Sequence, residues 1–397
     1  MKRVLTLGVA LLGLGASAFA QTTPAQTTPA QTASPDAPLL GVPATNSPAA
    51  PATGTPATAA PAAARPTNCA SYIALGNSYY GTGKYDSSYV AFRAAAECDA
   101  NSADALLGLG RSQAKLKLYS ASIDTLKKLT QLDSRNVSGY IALAQSYIAQ
   151  YVGTSDRASV GGNLDAALRV LADADAINPD SAGVASERSV IYRLRGDYAR
   201  ALEMGRRTVA LAPDSATALY NLGDLYYTTN QLPAALDALQ KAVIADPGDP
   251  YSRAYYGKLL MASGKPDAAK LELAQAERLA PGNAYAVGQY GVFGYLTKNM
   301  PLARSKLEQA LKLDPLRYPE FYYYHGRLAL DGGDAKGAKS DFTKAAALAS
   351  NNSEYFYWLG RAQEVSGDKG AARAAYGQAL QLNPGYKIAQ DALSRVK

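Results

Sequence analysis

The stretch ATALYNLGDLYYTTNQLPAALDALQKAVIADP, Ala216 to Pro247, carries two markers that recur along the chain. Its Gly223 belongs to a series with a step of about 34 residues, Gly76, Gly110, Gly223, Gly257, Gly291, Gly326 and Gly360. Its Pro247 belongs to a second series in the same phase, Pro179, Pro213, Pro247, Pro281, Pro315 and Pro384. A fixed period of this length is the mark of a chain built from stacked supersecondary units, each too small to bury its own apolar face.

From Cys69 to the C-terminus the pattern resembles the tetratricopeptide repeat family. The family places a large residue at position 4 of each unit, Leu at 7, a small residue at 8 and Tyr at 11, all on a first helix. On a second helix it places Ala at 20, a bulky residue at 24, Ala at 27 and Pro at 32. Leu219, Leu222, Gly223, Tyr226, Ala235, Leu239, Ala242 and Pro247 fill all of these places in the quoted unit. Small residues let helices approach, the large ones fill the space beside them, and proline ends the second helix. The resemblance implies an all-α fold, a right-handed superhelix (α-solenoid) of helix-turn-helix repeats.

Counting in this register gives nine units within residues 68–384, starting at Cys69, Ala103, Val137, Ala182, Ala216, Pro250, Ala284, Pro319 and Ser353. The third carries an insertion between 150 and 163, rich in Gly and Ser, which reads as a surface loop enlarging one turn. The fourth has Arg188 and Ser189 at positions 7 and 8 and Gly205 at position 24, so its packing is expected to be the weakest of the array. Residues 385–397 follow with an amphipathic pattern, Ile388, Ala392, Leu393 and Val396, expected to form a helix that caps the open end of the stack.

Ahead of the repeats, residues 1–20 combine Lys2 and Arg3 with an apolar run and an Ala18-Phe19-Ala20 exit. This is the pattern of a secretory signal peptide, and the run is too short to span a membrane comfortably. No cysteine stands near the expected cleavage point, which argues against a lipid anchor, and no transmembrane segment is expected after cleavage. Residues 21–67 are Pro-, Ala- and Thr-rich with a QTTPA duplication, a composition expected to form a disordered, semi-stiff linker, with a glycosylated stalk as the alternative. The chain is therefore expected to be exported, to the periplasm, the cell envelope or the exterior.

Cys69 and Cys98 are the only cysteines and stand at positions 1 and 30 of the first unit, which the family's geometry makes neighbours. In an exported chain a disulfide is expected there, stabilising the terminal repeat by about 3 to 4 kcal/mol.

Signs of catalysis are poor. His325, the single histidine, falls at position 7 of the eighth unit and reads as a packed imidazole. No cluster of histidine and cysteine has metal-ligand spacing, so neither a metal nor a cofactor is expected. Gly81-Thr82-Gly83-Lys84 imitates part of a phosphate loop, but Ser78 and Tyr85 stand where that motif needs glycine and Ser or Thr. The net charge of +7 includes Lys2 and Arg3 of the leader and is weak grounds for a nucleic-acid partner.

Family members take ligands on the first helices, at positions 2, 5, 6, 9, 12 and 13. The first four units place mostly small or aliphatic residues there, with Arg111, Lys115, Glu187 and Arg193 among them. The later units place Tyr220, Tyr227, Tyr251, Tyr255, Tyr285, Tyr295, Tyr323, Tyr324, Tyr357 and Trp358, interleaved with Asn221, Asp224, Lys258, Gln289, Arg327 and Arg361. Such a composition suits recognition of an extended or helical partner segment by aromatic packing and cationic contacts. The carboxylate clamp of chaperone-binding relatives is not reproduced: Asn221 fits one place, but Ser186, Val190, Tyr251 and Tyr255 do not fit the others. The expected function is a non-enzymatic protein-interaction scaffold of the bacterial cell envelope. Binding of cell-wall or exported glycan, and a purely structural role, are the alternatives.

Overall fold

The computed structural model describes residues 68–396 except Ser155 and Arg157. The expected leader (1–20) and linker (21–67) lie outside the described residues. The described residues form nineteen α-helices and no strand, in two compact units that divide after Leu225.

The N-terminal unit begins with α1 (Cys69–Gly81), α2 (Tyr85–Cys98), α3 (Ala103–Lys115), α4 (Tyr119–Leu132) and α5 (Val137–Gly153). It continues with α6 (Asn163–Ile177), α7 (Ala182–Leu194), α8 (Tyr198–Leu211) and most of α9 (Ala216–Thr228). In the C-terminal unit follow α10 (Leu232–Ala245), α11 (Pro250–Ala262), α12 (Pro266–Leu279), α13 (Ala284–Leu296) and α14 (Met300–Leu313). The last are α15 (Pro319–Asp331), α16 (Ala335–Leu348), α17 (Ser353–Val365), α18 (Lys369–Leu382) and α19 (Lys387–Arg395).

Most first helices start where the sequence supplies a cap. Side-chain oxygens of Asn68, Ser102, Asn136 and Ser181, and of Asp249, Asn283 and Asn352, accept from backbone N–H groups two or three residues on. Tyr318 makes no such side-chain bond, and α15 opens instead with Pro319, whose missing N–H costs nothing there. The turn into the second helix needs one left-handed residue at position 15. Gly83, Gly196, Gly264, Gly333 and Gly367 take it without strain, whereas Lys117, Asn230 and Lys298 take it at φ near 60°.

Within a pair, the residue at position 24 of the second helix lies on the small residue at position 8 of the first. A Cβ on Gly257 would come within 2.7 Å of Leu273, and one on Gly360 within 2.6 Å of Tyr376. Large side chains so buried each contribute about 1.5 to 3 kcal/mol. Successive pairs are tied by a recurring bond from position 26 to the position-32 carbonyl of the unit before: Lys128 Nζ to Ala100 O, Arg207 Nη2 to Pro179 O and Gln309 Nε2 to Pro281 O. In the first two units position 20 is serine, and the hydroxyls of Ser88 and Ser122 donate to the carbonyls of Gly76 and Gly110.

Two expectations change, for the insertion and for the terminal helix. The insertion is partly helix, because α5 runs on to Gly153 and packs Tyr151 and Val152 against the core of the third unit. In the fourth unit Arg188 pairs with Asp175 at 3.1 Å, Ser189 Oγ donates to Ala201 O, and Leu222 and Leu225 approach the space above Gly205. In the terminal helix Ile388 is 49% exposed, and Ala389 with Ala392 and Val396 makes the buried stripe. Cys69 and Cys98 are bonded, with Cα atoms 5.6 Å apart. No helix among the described residues is long and apolar enough to cross a membrane.

Candidate functional site

The sixteen expected wall residues fall into two groups. Tyr220, Asp224, Tyr255, Lys258, Tyr285, Gln289, Tyr295, Tyr323, Tyr324 and Tyr357 are all buried, and only Asn221, Tyr227, Tyr251, Arg327, Trp358 and Arg361 keep appreciable accessibility. The first group is therefore packing in this conformation, not open wall. Asp224 is paired with Arg193 at 2.7 Å inside the N-terminal unit.

The cause lies in how closely the first helices of the C-terminal unit approach. Tyr227 meets Tyr255 edge to face, Tyr251 stacks on Tyr285 with ring centres 6.0 Å apart, and Tyr285 meets Tyr318. Helix α13 touches α11, α12, α14 and α15, and nearly every residue from Ala284 to Tyr295 is buried. Its sequence, AYAVGQYGVFGYL, is accordingly apolar all round rather than striped.

At the last two repeats the arrangement is different. The Arg327 guanidinium lies over the Trp358 ring at 3.7 Å and is flanked by the rings of Tyr295 and Tyr323. Arg327 Nη1 donates to Tyr323 Oη at 2.8 Å, and Tyr323 Oη donates in turn to Glu354 Oε1 at 2.7 Å. Tyr295 Oη donates to Asp331 Oδ2 at 2.8 Å, and Tyr376 Oη to Glu364 Oε2 at 2.6 Å. Burial first, and the neighbouring carboxylates after it, push these phenols up, Tyr295 to about 12. They are neutral donors, not nucleophiles.

Because three phenols engage those three carboxylates, the arginines are left underused. Arg327 has no carboxylate within 4 Å among the described residues, and Arg361 comes no nearer than 3.9 Å to Glu364. The Nε atoms of both are buried without a hydrogen-bond partner. An unmade bond at a charged donor is costly, so both guanidiniums are poised for an acceptor.

Glu320, Asp331, Glu354 and Glu364 are absent from the sequence-derived set. Glu320 and Glu354 occupy position 2 and Asp331 position 13, so the same register would have found them had carboxylates been read beside the aromatics. His325 is half-buried and not a core imidazole. Its Nδ1 lies 2.6 Å from Asp341 Oδ2 and its Nε2 3.9 Å from Glu308 Oε1. No group of three or more potential metal ligands occurs among the described residues.

Tetratricopeptide repeat profiles match residues 73–137, 192–250 and 257–317, and a further one matches 353–386, together more than half of the chain. The chain belongs to the tetratricopeptide repeat family, whose members are typically non-enzymatic scaffolds that bind proteins. No curated protein matches the sequence. Among solved structures, the Cut9–Hcn1 hetero-tetramer of the APC/C is similar over 83% of this chain and 76% of its own, with 13% identity and a TM-score of 0.55, a likeness of fold alone. A thermophilic tetratricopeptide protein of Thermus thermophilus is 30% identical over 49% of this chain and 99% of its own, with a TM-score of 0.46. PilF of Pseudomonas aeruginosa is 20% identical over 54% of this chain and 97% of its own, with a TM-score of 0.45.

Proposed function

We propose that this chain is an exported scaffold of the bacterial cell envelope that holds a segment of a partner protein against the first helices of its last two repeats. The observation that carries this is the pair of arginines, Arg327 and Arg361, whose Nε donors lack partners beside the accessible Trp358. Aromatic area supplies affinity at small entropic cost, and the guanidiniums fix the segment by meeting its carbonyl or carboxylate oxygens. The leader-like residues 1–20 support export, and the paired cysteines suit an oxidising compartment.

A peptide is preferred to a glycan because one face of Trp358, the ring on which a sugar would stack, is already taken by Arg327. The test compares retention of envelope proteins and of wall glycan by wild type, Trp358→Ala and Arg361→Ala. Loss of a specific protein partner by tenfold or more, with helical content unchanged, is expected. Undiminished retention of every partner by both variants would refute the proposed surface, and selective loss of glycan would replace the peptide.

A further inference from the structure

Lys258, Gln289 and Glu320 stand at positions 9, 6 and 2 of the sixth, seventh and eighth units, three of the places from which this family contacts ligands. Lys258 Nζ donates to Glu320 Oε2 at 3.0 Å, and Gln289 Nε2 donates to Glu320 Oε1. The charged side chains are 8% and 7% exposed, and Gln289 is 2% exposed. The pair joins residues 62 apart in sequence, so it reaches from α11 past α13 to α15. A bond confined to one repeat and its neighbour could not do this.

We propose that Glu320 acts as a tethered internal ligand: its carboxylate occupies the polar receptors of the inner face of repeats six to eight and holds that face shut over α13. Both carboxylate oxygens are engaged, one by a cation and one by an amide, which is how the groove of a binding repeat would grip an acidic side chain. On the same three helices Tyr324, Tyr255 and Tyr285 are buried. Tyr324 is close enough to feel both charges: burial chiefly raises its pKa, Glu320 adds to that, and Lys258 opposes it. Tyr324, which the register assigns to an open wall, thus lies beside the chain's own acid. An acidic segment entering here has to displace Glu320 from Lys258 and Gln289, and doing so would uncover α13. This closure goes beyond the partner surface at Trp358 and stands or falls separately from it.

Buried pairs of this kind lose most when one member is removed, because a buried charge then loses its opposite charge. Hydrogen exchange resolved by peptide, on the full chain, therefore tests the closure with Lys258→Met, Glu320→Gln and their combination. Each single change is expected to speed exchange in α13 tenfold or more while α17 and α18 keep their protection. The double variant should be no worse than the worse single, since both remove one contact. Unchanged protection of α13 in both singles, a uniform rise across 226–396, or additive effects in the double would overturn the proposal.

Discussion

Glu187 shows what a single residue in this array can do. It sits on α7 with its side chain buried; Oε1 accepts from Gln145 Nε2 at 2.8 Å, and Oε2 has no hydrogen-bond partner. Burial raises its pKa to about 7, with the Gln145 bond opposing. A carboxyl whose folded pKa is raised adds stability that is complete below its unfolded pKa and is lost as pH climbs through the folded one. The window for Glu187 is thus about pH 4.5 to 7, and the loss is on the order of 3 kcal/mol. Glu187→Gln should stabilise α7 at pH 8 and make little difference near pH 5, read as local exchange protection at the two values. An equal effect at both would show that the carboxyl does not titrate with folding. The sequence marks Glu187 as a groove position, but the register does not reveal that no cation stands opposite it.

At the scale of the element, helix boundaries were legible because their causes are local. Caps such as Asn68, Ser102 and Asn283 and prolines such as Pro247 sit close to the ends they make. The insertion was half legible: its Gly-Ser content hid the helical run to Gly153, since Tyr151 and Val152 find a core that composition does not show. The position-15 turn gives a direct test. Lys298 holds φ 62° where five other units use glycine. Lys298→Gly is expected to stabilise the α13–α14 pair by about 1 kcal/mol, the left-handed cost for a side chain less the entropy glycine loses on folding. Denaturant melting should show a raised midpoint with an unchanged slope; a lowered midpoint would mean that Lys298 is not strained there.

At the scale of the whole molecule, the period of about 34 residues gave away the family and the all-α repeat architecture, because each unit repeats the same packing problem. It did not give away which inner positions stay open. That depends on contacts between alternate repeats, such as Lys258 with Glu320, which no nearest-neighbour register encodes. The consequence is a narrower candidate surface: most expected wall residues of repeats six to eight are buried, and Arg327 of the eighth repeat remains accessible with Trp358 and Arg361 of the ninth. Val365, at position 13 of the last unit and 57% exposed, offers a probe site on the same first helix that leaves all three intact. The deciding measurement is photo-crosslinking in the native envelope from a benzoylphenylalanine at 365, with one at 308 on α14 as control. A protein adduct from 365 that maps to one partner segment, disappears with Arg361→Glu and is absent from 308 is the predicted result. No adduct from 365, or one of equal yield from 308 or after Arg361→Glu, would contradict the proposal that the last two repeats hold the partner.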